Sequence, residues 1–235
     1  MDKREFIKHV RNWEARMVKK ALKDNPELST QIDRSGKSPL HHCAGVNPKK
    51  AKQEVRDSIE TAKALLASGA EVNAVRIIMD EGEEFRATPL WYAAAWGENF
   101  DLVSFLLKNG SDPNQCMWAA AWNNDLKLAK LLLSYGADID PVFHHETPLL
   151  QIIKAKRLGM LDWLVKNGAD INFQDDKGYT ALHHAIRKGY SLAEVKELLN
   201  RGANPNLKAK DGNTSISLAA HHKKTKLKEL LASYV

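Results

Sequence analysis

Eight of the nine histidines in this chain stand in adjacent pairs, at 41/42, 144/145, 183/184 and 221/222. Paired histidines invite a metal reading. Neighbours on a helix, however, point about 100° apart and do not close on one ion as an i, i+4 pair does. No HExxH stretch and no Cys/His cluster accompanies them. Cys43 and Cys116 lie far apart with no CxxC in the chain, which argues against a disulfide framework and a zinc knuckle alike. A GxSxG elbow, a GxxxxGKS/T phosphate loop and a GxGxxG turn are all missing, and the Asp, Ser and His residues show no triad-like spacing. The expectation is therefore no catalytic residue, no metal ligand and no cofactor. The chemistry left is recognition, carried by tryptophans that each follow three alanines (Trp96 and Trp122) and by lysines and arginines downstream.

Those residues are set in a repeated frame. SPLHHCA, TPLWYAAAWG, TPLLQII, TALHHAI and TSISLAA open five segments, and CMWAAAWN opens a sixth without its first residues. Between them run LLASGAEVN, LLKNGSDPN, LLLSYGADID, LVKNGADIN and LLNRGANPN, ending at Asn73, Asn114, Asp140, Asn172 and Asn206. Residues 88–114 show the physics of one unit. Thr88 caps a helix and Pro89 fits its first position, where a missing N–H costs nothing. Ala93, Ala94 and Ala95 permit close approach, and Gly97 marks a turn. Leu102, Val103, Leu106 and Leu107 then form one face of a second helix, which Gly110 stops in the left-handed conformation. Gly69, Gly136, Gly168 and Gly202 recur in that stopping position.

Between the equivalent positions Leu40, Leu90, Cys116, Leu149, Leu182 and Ile216 the spacings are 50, 26, 33, 33 and 34 residues. This pattern resembles the ankyrin repeat, whose period is about 33 residues and whose signature is T-P-L-H-x-A. The resemblance implies an all-α repeat fold, an ankyrin-type solenoid of helix-turn-helix repeats with connecting β-hairpin loops and a helical N-terminal cap. One domain spans 1–235, with a cap and degenerate half repeat at 1–32 and repeats at 33–74, 75–114, 115–140, 141–174, 175–207 and 208–235. Phe6, Val10, Trp13 and Met17 are the expected apolar side of the cap. In the family's own histidine slot, His41 and His183 are expected to hydrogen-bond the neighbouring turn.

Three departures stand out. The 50-residue spacing hides an insertion at 48–63, where Val55, Ile59, Ala62 and Leu66 suggest a lengthened second helix, and a segment at 75–88 that reads as a β-hairpin with an acidic tip. The 26-residue spacing leaves no room for the usual loop before Cys116. The loop PVFHHE at 141–146 is long and carries Phe143, His144 and His145 outward.

Composition limits the remaining options. The 43% apolar and 27% charged residues suit a soluble protein, with no apolar run long enough for a membrane span and no apolar signal core at the N-terminus. A cytoplasmic monomer is expected, with delivery into a host cell as an effector left open. The +6 formal charge is concentrated at the ends. Residues 1–24 carry eight Lys/Arg against four Asp/Glu and residues 201–235 carry seven against two, as solvated end repeats do.

The resemblance also implies where binding sits, on a concave surface lined by first helices and loop tips. In the slots after the small-residue pair stand Trp96, Trp122, Lys154, Arg187, Lys188, His221 and His222, with Tyr92 and Trp118 one turn earlier and Phe143, Lys177 and Tyr179 at loop tips. Such a groove starts aromatic and ends basic. It fits a protein or peptide partner with an apolar anchor and an acidic surface. The role is then a non-catalytic interaction module of adaptor, inhibitor, immunity or effector type. The alternative is an anionic ligand, nucleic acid or membrane surface, held by the basic terminal segments such as HHKKTKLK (221–228). No recognised nucleic-acid module supports it.

Overall fold

The computed structural model describes residues 1–51, 54–80, 82–221 and 225–234, with His221 described by its backbone only. They form two compact units, Met1–Ala119 with Lys130–Ala137, and Ala120–Ala129 with Asp138–Val235.

The first unit opens with α1 (Lys3–Arg11) and α2 (Ala15–Asp24), followed by a 3-10 turn at Pro26–Ser29. The cap is thus two helices. Trp13 breaks them with a left-handed φ of 52°, and its indole N–H donates to the Cys43 carbonyl at 2.9 Å. Phe6, Val10 and Trp13 are buried as expected, whereas Met17 is 37% exposed because the break at Trp13 turns α2 away from the phase of α1. Next come α3 (Pro39–Ala44), α4 (Pro48–Ala51) and α5 (Val55–Ala67). The insertion therefore both lengthens the second helix, to 13 residues, and adds a separate helical turn. The buried face of α5 is set by Ser58, Thr61, Ala62 and Leu65, while Val55, Ile59 and Leu66 are half-buried.

Strands β1 (Arg76–Asp80) and β2 (Glu83–Ala87) pair antiparallel from Arg76↔Ala87 to Asp80↔Glu83, giving the expected hairpin. The other loops are tighter. Asp33–Lys37, Asp175–Tyr179 and Ala209–Asn213 are each closed by one backbone bond of 2.8–3.1 Å from the first residue's N–H. Helix α6 (Pro89–Tyr92) follows, capped by Thr88, and runs into a π-helical turn at Ala93–Gly97 before α7 (Phe100–Lys108). First helices pack on first helices, α3 on α6, and second on second, α5 on α7. The central side chains Leu40, Leu65, Leu90, Leu102 and Leu106 are fully buried.

Helices α8 (Cys116–Trp122) and α9 (Leu126–Ser134) each contribute residues to both units. The second unit continues with α10 (Pro148–Lys154), α11 (Leu161–Lys166), α12 (Ala181–Arg187), α13 (Leu192–Asn200), α14 (Ser215–His221) and α15 (Thr225–Ala232). Here α10 packs on α12 and α12 on α14, around Leu149, Ile152, Leu182 and Val195.

Two details replace sequence-level explanations. The stopping glycines do adopt left-handed φ, from 81° to 99°. Gly97 does not. It is small because a Cβ there would stand 2.5 Å from the Ala44 carbonyl oxygen, and the left-handed residue that ends the first helix is Glu98, at φ 46°.

Candidate functional site

The histidine pairs 41/42 and 183/184 are structural. Ser38 caps α3, its N–H donates to His41 Nδ1 at 3.1 Å, and His41 Nε2 lies 3.1 Å from the Ala87 carbonyl. A ring nitrogen that accepts a backbone N–H is unprotonated, so Nε2 carries the proton and donates it across to the next loop. Thr180, His183 and the Asn213 carbonyl repeat the arrangement at 3.2 and 3.3 Å. Burial pushes His41 down to about 4 and lowers His183 as well. The second histidine of these two pairs meets a carboxylate, His42 with Asp33 at 2.7 Å and His184 with Asp175 at 2.8 Å. Each carboxylate also accepts two backbone N–H groups of its own turn, so the pair pins the loop to the first helix. Among the described residues no three His, Cys, Asp or Glu side chains are placed to hold a metal ion. Cys43 and Cys116 are free, buried thiols whose acidity burial suppresses.

The tryptophans behave differently. Trp96 is 49% exposed and Trp122 41%, although Ala93, Ala94, Ala119, Ala120 and Ala121 before them are buried. In the first unit Trp96 ends an aromatic run. Its ring lies 5.5 Å from Trp91 and 5.0 Å from Tyr92, and Trp91 packs on Phe85 of β2 at 4.9 Å. Lys37 Nζ sits 5.0 Å from the Tyr92 ring and 5.8 Å from Trp96. Burial, then the charge of Arg76, lowers Lys37 below the usual lysine range. In the second unit the Arg157 guanidinium stacks 4.0 Å from the Trp122 ring centroid while donating to the Trp122 carbonyl at 2.7 Å.

Placement of the other expected residues is uneven. Tyr92 is 1% exposed and belongs to the core, its hydroxyl taking an N–H of Arg76, so its expected place on the binding face is corrected. Trp118 and Phe143 are half-buried. Phe143 lies in a tight turn whose central residues His144 and His145 both have positive φ, 49° and 55°. Lys154 is not a free cation: its ammonium pairs with Glu146, and the site loses that charge. Arg187, Lys188 and Lys177 are exposed. Arg187 stacks 4.7 Å from Tyr179, whose hydroxyl donates to Asp211 at 2.5 Å. His222 lies outside the described residues, and of His221 only the backbone at the end of α14 is described.

Trp91, Lys37 and Arg157 escaped the sequence reading. Arg157 is 35 residues from Trp122, close to one repeat, which is the only signal that could have flagged it. Lys37 sits in a turn before its helix, and nothing in its spacing marks it as the neighbour of a ring 59 residues on.

A family model for "Ankyrin repeats (3 copies)" matches residues 50–143, 116–209 and 149–235, most of the chain. The chain belongs to the ankyrin repeat family. Human ASB11's ankyrin repeat domain superposes with a TM-score of 0.66 at 22% identity, over 98% of this chain and 97% of that one, which shows the ankyrin fold. Among curated proteins, inversin from Canis lupus familiaris is 40% identical over 89 residues, 38% of this chain and 8% of inversin. Human BCL-6 corepressor-like protein 1 is 38% identical over 85 residues, 34% of this chain and 5% of its own. A putative ankyrin repeat protein of fowlpox virus, FPV115, is 34% identical over 114 residues, 47% of this chain and 21% of its own. The chain thus spans only a small part of the curated relatives it matches. Ankyrin repeats are non-catalytic modules that bind protein partners. No helix among the described residues is long and apolar enough to cross a membrane.

Proposed function

We propose that this ankyrin repeat chain is a non-catalytic, monomeric binding module of the cytoplasm, of adaptor, inhibitor, immunity or effector type. Its partner is a protein or peptide with an apolar anchor and an acidic surface. The observation that carries the reading is that Trp96 and Trp122, in equivalent slots, are left half in solvent, each with a cation beside its ring. An exposed indole costs solvation in the free chain and buries large area at low entropic cost on binding, which is why tryptophan dominates interface hot spots. Each unit presents such a face: Trp96 beside Trp91 and Lys37 in the first, and Trp122–Arg157, Tyr179–Arg187 and Lys188 in the second. The cations leave room for partner carboxylates.

The test is affinity capture with the wild type and with Trp96→Ala plus Trp122→Ala, read by mass spectrometry and followed by titration of the protein retained. Loss of at least one hot spot's worth, about 2 kcal/mol or thirtyfold in Kd, is expected with unchanged helicity. Equal affinity of the double variant would refute the face assignment.

A further inference from the structure

We infer that the first unit carries a separate cleft for a short polyanionic peptide segment, built from α1 and the loop tip at 33–35. The inference goes beyond the tryptophan faces, since none of their residues lines this cleft. The cleft is an open groove offering about 970 Å³. Five cations line it: Lys3, Arg4, Lys8 and Arg11 from α1, and Arg34 from the loop.

The helical frame explains why they converge. Phe6 and Val10 anchor one face of α1 in the core, which turns Arg4, Lys8 and Arg11, at spacings of four and three, out along the other. Like charges at such spacings repel each other, and among the described residues Arg4, Lys8, Arg11 and Arg34 form no ion pair. An end cap that needed only solubility could mix signs along this face. Instead the lining holds one carboxylate, Asp33, and that group is already committed to the N–H groups of Ser35 and Lys37, at 2.7 and 3.1 Å, and to His42. Five cations thus face one carboxylate within the lining, and the outlying Asp2 and Glu14, whose acidity Arg4 and Lys8 help to raise, offset the positive field only in part. Arg11 and Arg76 also contribute to lowering Lys37, so the field extends past the cleft wall.

The lining also selects the class of anion. It contains no aromatic ring among the described residues, and its apolar part is Ile7, Val46 and Ala51. Unpaired bases would find no stacking platform there. Carboxylates or phosphoserines of a peptide would instead be met by the guanidinium forks of Arg4, Arg11 and Arg34, whose geometry matches both groups, with aliphatic side chains resting on Ile7 and Val46.

The experiment is fluorescence anisotropy on the full chain with three labelled probes: an octapeptide of alternating Asp and Ser, its counterpart with phosphoserine at the serines, and octathymidylate. Saturable binding of the peptides, with octathymidylate at least tenfold weaker, is expected. Tighter binding of the phosphorylated peptide would assign phosphoryl oxygens as the natural anion, and equal binding would assign carboxylates. Arg11→Glu with Arg34→Glu, both exposed and checked for folding by circular dichroism, should weaken the peptides tenfold or more. Arg187→Glu with Lys188→Glu in the second unit should leave Kd within twofold. Absence of saturable peptide binding, equal weakening by the second-unit variant, or octathymidylate binding as tight as the peptides would overturn the inference. The Trp96→Ala and Trp122→Ala result stands or falls separately, because neither residue lines the cleft.

Discussion

Asp140→Asn should stabilise the protein. The residue closing the second-helix phrase is asparagine at 73, 114, 172 and 206, and at 73 and 172 the side chain bridges to the next repeat in the same way. Asn73 accepts the Asp112 N–H at 2.9 Å and donates to the Gly110 carbonyl at 2.9 Å. Asn172 accepts the Asn204 N–H at 2.8 Å and donates to the Gly202 carbonyl at 2.9 Å. Asp140 reproduces only half of this. Its Oδ2 accepts the Asp170 N–H at 2.6 Å, while Oδ1 is buried with no partner, and by equivalence it faces the Gly168 carbonyl with an oxygen where the others offer an N–H. Burial, together with the charges of Asp170 and Asp138, holds this carboxyl above its ordinary range. Asparagine would supply the missing donor and remove an uncompensated charge, a gain of about 1–2 kcal/mol. At about 2–4 °C per kcal/mol for a chain of this size, that is several degrees in thermal midpoint. The sign with pH provides a second check. A group whose folded pKa is raised contributes its stability at low pH and loses it as pH rises through the folded value, so the advantage of Asn over Asp should be largest near neutrality and shrink on acidification. Urea denaturation of both proteins at pH 7 and pH 4 measures it. A neutral or destabilised Asp140→Asn variant, or an advantage that grows on acidification, would refute the reasoning.

Two further predictions rest on the same kind of geometry. His41 is held neutral by burial and its pKa falls from 6.5 to about 4, so the unfolded chain binds protons first. Stability should therefore fall as pH drops from about 6.5 toward 4, by up to about 3 kcal/mol from this residue, in the same direction as the depressed Asp33 and Asp175 carboxyls act at still lower pH. Urea midpoints across pH 7 to 4.5 test this, and a flat profile would exclude the neutral tautomer assigned to it. Gly97→Ala should cost about 1–3 kcal/mol, because its Cβ would press within 2.5 Å of the Ala44 backbone oxygen. Wild-type stability in Gly97→Ala, measured by the same denaturation, would show that the contact between the first helices relaxes freely.

The fold was largely legible because its signals are local. Ser/Thr-Pro at a helix start, glycine at a helix end and the histidine three residues after its cap are each written within a few residues, and the structure places them accordingly. The tryptophans were legible for a related reason: a slot that follows three alanines, most of them buried, on a short helix points outward. What the sequence withheld is compensation between distant groups. Lys154 reads as a free cation until Glu146, eight residues back, is seen to neutralise it, and Trp122 reads as a bare ring until Arg157 covers it from the next repeat. Neither pairing follows a helical or strand period, and only the repeat spacing of 35 residues hints at the second.

The same asymmetry explains how the basic cleft was read differently in sequence and in space. Eight Lys/Arg in the first 24 residues are, as composition, what any solvated end repeat shows. A solvated cap, however, needs its charges only to face water, and then their mutual placement is free. In α1 the apolar anchors Phe6 and Val10 fix the helix phase, and that phase brings three of the charges onto one line opposite Arg34. Such convergence raises the energy of the unliganded chain, and a bound anion would lower it. A cap selected for solubility alone would be expected to lose it by exchanging one of these residues for glutamate, a change that costs nothing in packing at exposed positions.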